Sequence, residues 1–258
     1  MKYYVVDAFA SQLFKGNPAG ICLLDEWIDD AAMQNIAFEN NLAETAFLVQ
    51  KDNSYELRWF TPECEIDLCG HATLASAFVL MNFVETTKDK IVFDTRSGKL
   101  TVNRDKEKYK MNFPSRKPVL TAVPQKIEAA LGTTIIETYL SRDLLALVEN
   151  EETVKDLRPN YELLKEFEDY FGIIVTAKGN SCDFVSRYFA PNAGVPEDPV
   201  TGSAHSTLIP FWSERLHKTE MIGRQLSKRG GWLYCKDCGD RVEISGEAKL
   251  YLSGEINL

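Results

Sequence analysis

Short apolar and alternating runs of residues dominate this chain, and such runs are typical of β-strands rather than of long helices. In the first half, the predicted strands are residues 3–9, 19–24, 46–51, 55–60, 91–93, 100–103 and 109–113. Two other segments, residues 29–40 and 70–83, repeat their apolar residues at helical spacing. The second helix is apolar on most sides, so we expect it to be buried at the centre of its domain, wrapped by strands.

The second half follows the same plan. Its predicted strands are residues 135–140, 144–148, 172–177 and 183–188, and the remainder from residue 225 reads as strands joined by Gly-rich turns. Short helices are predicted at residues 124–131, 153–157 and 161–167. Residues 202–215 are the counterpart of the buried helix, although Pro210 is expected to kink it or to end its first part.

Two sets of landmarks repeat along the chain. The segment Arg58-Trp59-Phe60-Thr61-Pro62 returns 129 positions later as Arg187-Tyr188-Phe189-Ala190-Pro191. The small-residue turn at 68–75 returns after 132 positions at 200–207. These repeats predict two similar domains, residues 1–114 and 115–258, with a last strand that could return to the first domain. A cleft between such domains would place both turns on opposite sides of one ligand.

Composition narrows the function classes. The 258 residues carry a net charge of −9, with a pI of about 5.0. No cluster of Lys and Arg is present, which argues against nucleic acid or an anionic membrane surface as a partner. The first residues lack the apolar core of a signal peptide, and no segment resembles a membrane span. Six sparse cysteines do not suggest a disulfide scaffold, so we predict a cytoplasmic protein.

The two repeated turns are candidate anion sites. Gly70 and Gly202 each lie at the start of a predicted helix, where free N–H groups and the absence of a side chain favour a bound carboxylate. Each turn alone could be an ordinary helix start. Their repeat-related positions favour a shared role in binding a small-molecule carboxylate substrate.

Three polar residues near these turns are candidates for catalysis. Glu44 is a lone acid between apolar residues, and a buried, unpaired carboxylate has a raised pKa that suits proton transfer. It could equally be a glutamate that reaches solvent. His71 follows the helix-opening Gly70 and could donate to a substrate group, although lone histidines are usually structural. Asp198 could orient a substrate amine or hydroxyl, or merely mark a turn before Pro199.

The cysteines leave further alternatives open. Cys69 precedes Gly70, where a helix N-terminus can lower the pKa of a thiol, but a buried inert thiol fits equally well. Cys235 and Cys238 form a single C-x-x-C in a predicted hairpin turn, without the second pair that zinc requires. No histidine pair has metal-ligand spacing, so we predict no metal site.

Taken together, these segments resemble the PhzF-like family, which is named for a phenazine-biosynthesis isomerase and has the diaminopimelate epimerase fold. The resemblance covers essentially the whole chain. Its landmarks are Asp7-Ala8-Phe9, Gly16-Asn17-Pro18-Ala19-Gly20, Asn41-Leu42-Ala43-Glu44-Thr45, Cys69-Gly70-His71-Ala72-Thr73 and residues 197–204. It implies an α+β fold of two pseudo-symmetric domains, each a curved, mostly antiparallel, barrel-like sheet around a central helix. It also implies a homodimer, no cofactor and an active site between the domains.

The resemblance assigns roles to individual residues. The phenazine enzyme rearranges a dihydro-hydroxyanthranilate by moving a proton between ring carbons, and Glu44 matches its acid/base glutamate. His71, Asp198 and Ser203 match residues that contact substrate, Asn17 falls in a family landmark and is expected to bind substrate, and Gly70 and Gly202 match the carboxylate-binding turns. We therefore predict a cofactor-independent isomerase that uses one glutamate.

Two rival hypotheses remain. Related racemases use two thiols, one from each half; Cys69 occupies the first position, but its counterpart is Thr201, whose hydroxyl is a poor acid or base. A racemase that uses Cys69 with another base is the first alternative. A non-catalytic protein that binds small molecules is the second, although the joint presence of four site residues counts against it: Glu44, His71, Asp198 and Ser203.

Overall fold

The computed structural model describes residues 1–258, and the chain divides into two compact units. Unit 1 comprises Met1–Asn112 and Ser245–Leu258, and unit 2 comprises Phe113–Ile244. Unit 1 therefore ends two residues before the boundary expected from the sequence, and the C-terminal strand belongs to it. No helix has the length and the apolar character needed to cross a membrane.

Strands form most of the ordered structure, as the alternating pattern predicts. They are β1 (Lys2–Ala8), β2 (Asn17–Leu24), β3 (Glu44–Lys51), β4 (Ser54–Phe60), β5 (Glu65–Ile66), β6 (Lys90–Thr95), β7 (Gly98–Asp105), β8 (Lys108–Pro114), β9 (Val119–Thr121), β10 (Glu137–Leu140), β11 (Leu144–Leu147), β12 (Ile173–Lys178), β13 (Phe184–Ala190), β14 (Val195–Asp198), β15 (Glu220–Gln225), β16 (Gly231–Asp237), β17 (Arg241–Gly246) and β18 (Ala248–Glu255). The helices are α1 (Asp30–Asn40), α2 (Gly70–Val79), α3 (Ile127–Leu131), α4 (Glu151–Asp156), α5 (Tyr161–Leu164) and α6 (His205–Leu216). A π-helical turn, Leu80–Val84, extends α2, and a 3₁₀ turn, Pro191–Ala193, precedes β14.

The two units share one order of strand pairing. In unit 1, β1 and β2 are antiparallel, β2 and β3 parallel, β3 and β4 antiparallel, β4 and β6 parallel, and β6 and β7 antiparallel. In unit 2, β10, β11, β12, β13, β15 and β16 pair in the same alternation. Each parallel step needs a crossover, which the helices supply between the paired strands. The pairing order therefore expresses the repeat seen in the sequence.

Helix α2 is the centre of unit 1. Its residues from His71 to Ala77 are all buried, and it packs against β1, β2, β3, β7 and β18. Strands from both ends of the sheet can contact one helix only if the sheet curves around it. Small side chains on α2, such as Ala72, Ala75 and Ala77, allow this close approach. The predicted α+β class and the central helix are confirmed for this unit.

Helix α6 differs from the prediction at two points. It begins at His205, not at Gly202, because residues 202–204 form a turn. It also continues through Pro210 to Leu216. Of the two outcomes expected of this proline, the end of the first part is therefore wrong, and the kink stays a prediction. Pro210 has no N–H for the carbonyl of Ser206 four residues earlier. That carbonyl instead accepts a bond of 2.8 Å from the N–H of Arg116, which removes the penalty of an unmet acceptor.

The repeated arginines hold each unit's strands together. Arg58 on β4 binds both carboxylate oxygens of Glu65 on β5, at 2.7 Å each. Arg187 on β13 binds Glu197 on β14 in the same way, at 2.7 and 2.9 Å. Each guanidinium also lies over the phenylalanine two residues further on, at 5.2 and 5.1 Å from the ring centroid. The repeated segment is therefore a structural clamp within each unit.

Candidate active site

Three elements of unit 1 bring polar side chains to the start of α2. Asn17 is the first residue of β2, and Glu44 is the first residue of β3, which runs parallel to β2. His71 is the second residue of α2. The residue before Asn17 must be glycine, since Gly16 has φ of +68° and a Cβ there would lie 2.1 Å from the carbonyl oxygen of Ala8.

Glu44 and His71 form a close pair. Nε2 of His71 lies 3.0 Å from Oε2 of Glu44, and both atoms are buried. The distance is that of an ion pair, although the two groups are not aligned as a hydrogen bond. The Glu44 side chain is 14% exposed. Because Oε2 is buried, this exposure belongs to the other atoms of the side chain. The expectation of an unpaired carboxylate is therefore wrong: Glu44 has an imidazole partner.

The second ring nitrogen of His71, Nδ1, contacts two groups. Nδ1 lies 3.2 Å from the side-chain nitrogen of Asn17 and 3.5 Å from Sγ of Cys69. A neutral imidazole accepts from the Asn17 amide at this atom, whereas an imidazolium donates to its oxygen. Rotating the amide by 180° exchanges donor and acceptor, so Asn17 can serve either protonation state of His71.

Charges around His71 favour its protonated form. Burial by itself lowers the pKa of His71, but interactions with Cys69 and Glu44 outweigh burial, and the pKa lies well above its ordinary value. Burial raises the pKa of Cys69, and the charge of Glu44 raises it further, against the opposing effects of His71 and the Ala72 N–H. Both neighbours, Cys69 before Glu44, contribute to the raised pKa of His71.

The same cluster has the composition of a metal site. One ligand atom each from Glu44, Cys69 and His71 lie within 4.8 Å of one another. Sequence spacing could not show this, because Glu44 and Cys69 belong to distant segments. A metal bound there would need a deprotonated thiol and a neutral imidazole, so its binding would displace protons from these groups.

A second cluster lies in unit 2 around Asp198, the last residue of β14. The hydroxyl of Thr201 donates to Oδ2 of Asp198 over 2.5 Å. Gln225, which is fully buried, accepts from the N–H of Thr201 at 2.8 Å and donates to the carbonyl of Asp198 at 2.7 Å. These bonds fix the orientation of the Asp198 carboxylate. Thr201 is thus a hydrogen-bond donor to Asp198.

His205 has a structural role. It lies 132 residues after Thr73, and both side chains contact the carbonyl four residues earlier: Thr73 reaches Cys69 over 2.5 Å, and His205 Nδ1 reaches Thr201 over 2.8 Å. Burial lowers the pKa of His205 to about 4, against the opposing effect of the bond to Thr201. It is therefore a neutral side chain that stabilises the turn before α6.

Comparison with known proteins identifies the family. The family model described as "phenazine biosynthesis-like protein" (PhzC-PhzF) matches residues 6–254. An "uncharacterized isomerase" from Pseudomonas aeruginosa is 48% identical over 255 residues, which cover 99% of this chain and 98% of the relative. The chain belongs to the PhzC-PhzF family.

Solved structures agree with this assignment. A PhzF-family phenazine biosynthesis protein from Enterococcus faecalis superposes with a TM-score of 0.98 at 51% identity, covering 100% of this chain and 99% of that one. A hydroxyproline epimerase from Agrobacterium vitis shares the fold alone, with a TM-score of 0.64 at 9% identity over 98% of this chain and 91% of that one. The predicted family, the epimerase-like fold and the class of enzyme, an isomerase, are confirmed.

The structure of this PhzC-PhzF isomerase groups the predicted site residues by unit. Asn17, Glu44, Gly70 and His71 meet in unit 1, while Asp198, Gly202 and Ser203 lie in one turn of unit 2. Whether both groups serve one ligand stays a prediction, as do cytoplasmic location, homodimerisation and the absence of a cofactor. Cys235 lies buried on β16 and Cys238 follows at the predicted hairpin turn.

Sequence reasoning missed two polar side chains that contact predicted site residues. Gln225 lies on the inward face of β15, where Met221 and Gly223 are also buried. Period-two alternation along that strand could have shown it as a buried polar residue. Arg142 donates to Ser203 over 3.2 Å, and no pattern in a single sequence predicts that contact.

Proposed function

We propose that this isomerase moves a proton between two carbons of a small carboxylate substrate, with Glu44 as its only acid/base group. The observation that carries this proposal is the buried Glu44–His71 pair, 3.0 Å apart, at the N-terminus of α2. A carboxylate beside an imidazolium can accept a proton from an activated carbon. The family membership supports the class of reaction.

In this proposal the two oxygens of Glu44 have different roles, because only one of them faces His71. Oε2 faces His71 and is buried, so Oε1 is the oxygen that would take the proton. When Glu44 becomes neutral, the positive charge of His71 is left to stabilise the substrate anion that forms. Glu44 then returns the same proton to another carbon, and the net reaction is an isomerisation without a redox change.

The substrate carboxylate would bind at the start of α2. The N–H groups of Gly70 and His71 belong to the first turn of this helix, which has no intrahelical acceptors for them. The partial positive charge of the helix N-terminus adds to the attraction. The proposed contacts of Asp198, Gly202 and Ser203 with the substrate stay predictions, to be tested by the same exchange measurement on their variants.

A thiol mechanism receives less support. The thiol of Cys69 lies against His71, but burial and the charge of Glu44 both oppose its ionisation. The hydroxyl of Thr201, at the second thiol position, is already bonded to Asp198. We therefore place Cys69 as a group that packs against the imidazole.

The test is proton NMR in D₂O with a panel of small cyclic and amino-acid carboxylates that includes dihydro-hydroxyanthranilate. Wild type is expected to isomerise a panel member or to incorporate carbon-bound deuterium. Glu44→Gln is expected to lower that rate by at least about 10³-fold, a magnitude typical of general acid–base groups, while still binding the compound. Glu39→Gln makes the same change at an exposed position on α1 and serves as the matched control.

An active Glu44→Gln variant would show that another group moves the proton. Retained activity in Glu44→Gln together with loss in Cys69→Ala would favour the thiol-dependent racemase. Binding by wild type of a panel member without exchange or isomerisation would favour the non-catalytic role.

A further inference from the structure

Cys69 carries a buried thiol that the proposed reaction does not use. Only 6% of the residue is exposed, and its Sγ lies 3.5 Å from Nδ1 of His71. The other nitrogen of the same imidazole lies 3.0 Å from Oε2 of Glu44. A thiol, an imidazole and a carboxylate thus meet within unit 1, and each of these groups binds metal ions in proteins.

The local backbone explains how the side chains of Cys69 and His71 meet. Residues two apart on a helix do not face each other. Cys69, however, is the N-cap of α2 and has extended backbone angles (φ −140°, ψ 112°), whereas His71 lies in the first helical turn. This change of backbone direction brings the two side chains together. Glu44 is the first residue of β3, so the ends of regular elements position all three groups.

The separations between these groups suit a zinc ion. Zn²⁺ binds sulfur at about 2.3 Å, imidazole nitrogen at about 2.0–2.1 Å and carboxylate oxygen at about 2.0–2.2 Å, so tetrahedral ligation sets the donor atoms about 3.3–3.7 Å apart. The 3.5 Å between Sγ of Cys69 and Nδ1 of His71 falls within that range. One ligand atom from each of the three residues lies within 4.8 Å of the others. Closing the cluster around an ion therefore requires shifts of only about 1 Å.

The types of ligand favour zinc over magnesium and calcium. Mg²⁺ and Ca²⁺ prefer oxygen ligands, and of the three residues only Glu44 offers oxygen. A thiolate together with an imidazole selects Zn²⁺. The Glu44 side chain is 14% exposed, against 5% for His71, so an ion that arrives from solvent meets the carboxylate first.

We propose that Glu44, Cys69 and His71 bind one Zn²⁺ ion and that the bound ion inhibits the enzyme. This inference rests on the proposed function, since it concerns regulation of the same acid/base group. On binding, the thiol of Cys69 gives up its hydrogen as H⁺, and the imidazole binds through a nitrogen that carries none. The carboxylate of Glu44 also gives an electron pair to the ion, so it can no longer take a proton from the substrate.

The competing explanation is that the thiol only packs against the imidazole, and that zinc binds weakly to acidic groups on the surface. The chain has a net charge of −9, so some nonspecific association of a cation is expected. The two explanations differ in their dependence on Cys69, because a buried thiol takes no part in surface binding. They also differ in the release of protons, since surface carboxylates are already ionised and release none.

The experiment is calorimetric titration of ZnCl₂ into protein dialysed against a chelator, near neutral pH, in two buffers that differ in ionisation enthalpy. Wild type is expected to bind one ion per chain with a Kd in the micromolar range or below and to release at least one proton. Cys69→Ser is expected to weaken binding by at least about 10-fold, since the loss of even a group that supports a ligand costs about 10- to 100-fold. Cys64→Ser, the same change at an exposed cysteine of unit 1, is the matched control and should bind zinc as wild type does.

Glu44→Gln is a second variant, which keeps the thiol and the imidazole. It is also expected to weaken zinc binding by at least about 10-fold. Co²⁺ then serves as a spectroscopic probe in place of Zn²⁺. A sulfur-to-cobalt charge-transfer band in the near ultraviolet is expected in wild type and in Glu44→Gln, and its absence is expected in Cys69→Ser. The band reports thiolate ligation in wild type itself, so the test does not depend on the folding of Cys69→Ser.

The effect on the reaction is measured by proton exchange in D₂O. Exchange is expected to stop when zinc saturates the site and to return when EDTA removes the ion. The proposal would be overturned by exchange that continues at saturation, by the absence of zinc binding to wild type, or by binding that is equally tight in Cys69→Ser.

The zinc site and the proposed function can fail separately, because the titrations require no substrate. Zinc binding that depends on Cys69 and Glu44, in an enzyme whose exchange is insensitive to Glu44→Gln, would sink the proposed mechanism and leave the metal site standing. Exchange that requires Glu44, in a protein that binds no zinc, would leave the mechanism standing and remove the metal site.

Discussion

The two units have the same strand order and the same arginine clamp, yet their turns carry different chemistry. In unit 1, a titratable pair, Glu44 and His71, lies at the start of the buried helix. In unit 2, the turn before the buried helix holds fixed hydrogen bonds, in which Thr201 donates to Asp198 and Ser203 accepts from Arg142. One scaffold thus holds a titratable pair in one unit and fixed polar contacts in the other.

The difference shows which positions of the repeat are structural and which are free to change. The arginine and its glutamate recur in both units with the same bidentate geometry. Position 73 and its counterpart 205 differ in residue type but keep the contact with the carbonyl four residues earlier. The side chains directly before and after Gly70 and Gly202 differ in type between the two units. A repeat in sequence therefore locates a site without defining its chemistry.

Removing the arginine of a clamp is expected to give the largest change in stability. Arg187→Met leaves Glu197 without its cation and frees the carbonyls of Val154 and Leu157 from one donor each. Because the Arg187 side chain is only 9% exposed, the expected loss is about 3–5 kcal/mol of unfolding free energy. Chemical denaturation with circular dichroism measures it.

Arg58→Met is the matched change in unit 1. Glu65 keeps a second partner, Arg96, at 2.8 Å, and the Arg58 side chain is 18% exposed. We expect a loss of about 1–2 kcal/mol there, since more exposed pairs contribute less. Equal losses at the two positions would show that burial does not distinguish the clamps.

The two buried histidines should respond oppositely to pH. The pKa of His205 is lowered to about 4 in the folded chain. Below about pH 6.5, its ordinary pKa, the unfolded chain therefore binds a proton at this histidine that the folded chain does not bind. Stability is then lost as pH falls from about 6.5 to about 4, by roughly 3 kcal/mol in total. His71 does not mask this effect: its pKa is raised, so its stabilisation is fully present below pH 6.5 and is lost only as pH rises through the folded value.

His205→Thr copies the residue that unit 1 has at Thr73 and should remove this loss at acid pH. Urea unfolding at pH 7.0, 6.0, 5.0 and 4.5 gives the slope, and His217→Thr at an exposed position is the control. An unchanged slope in His205→Thr would assign the acid sensitivity to other groups.

The sequence predicted the fold better than it predicted the site. Apolar periodicity located most strands and the buried α2, because those signals are local. It failed at Pro210, since the compensating donor comes from the distant Arg116. It found Glu44 but not the partner of Glu44, because the pairing with His71 depends on how β3 and α2 pack. Contacts such as Arg142 with Ser203 join residues 61 apart in the chain and leave no local trace.

The repeat-related positions 69 and 201 test whether the chemistry is divided as proposed. Thr201→Val removes the hydroxyl that donates to Oδ2 of Asp198. We expect the exchange rate in D₂O to fall by about 10- to 100-fold, which corresponds to the loss of one hydrogen bond to a charged group. Cys69→Ser keeps a small polar group beside His71 and should lower the rate by less than about tenfold. A loss of all exchange in Cys69→Ser, with Thr201→Val active, would reverse the comparison and favour the thiol-dependent alternative.

Pro210 provides the smallest effect and tests how the second central helix tolerates its proline. Pro210→Ala restores an N–H that could donate to the carbonyl of Ser206, which already accepts from Arg116. Alanine is intrinsically the better helix residue by about 3 kcal/mol, but here the helix is already formed and its orphaned carbonyl is already satisfied. We therefore expect the unfolding free energy to change by less than about 1 kcal/mol. A gain near the full propensity difference would mean that the Arg116 bond compensates little, and that α6, unlike α2, remains strained at its centre.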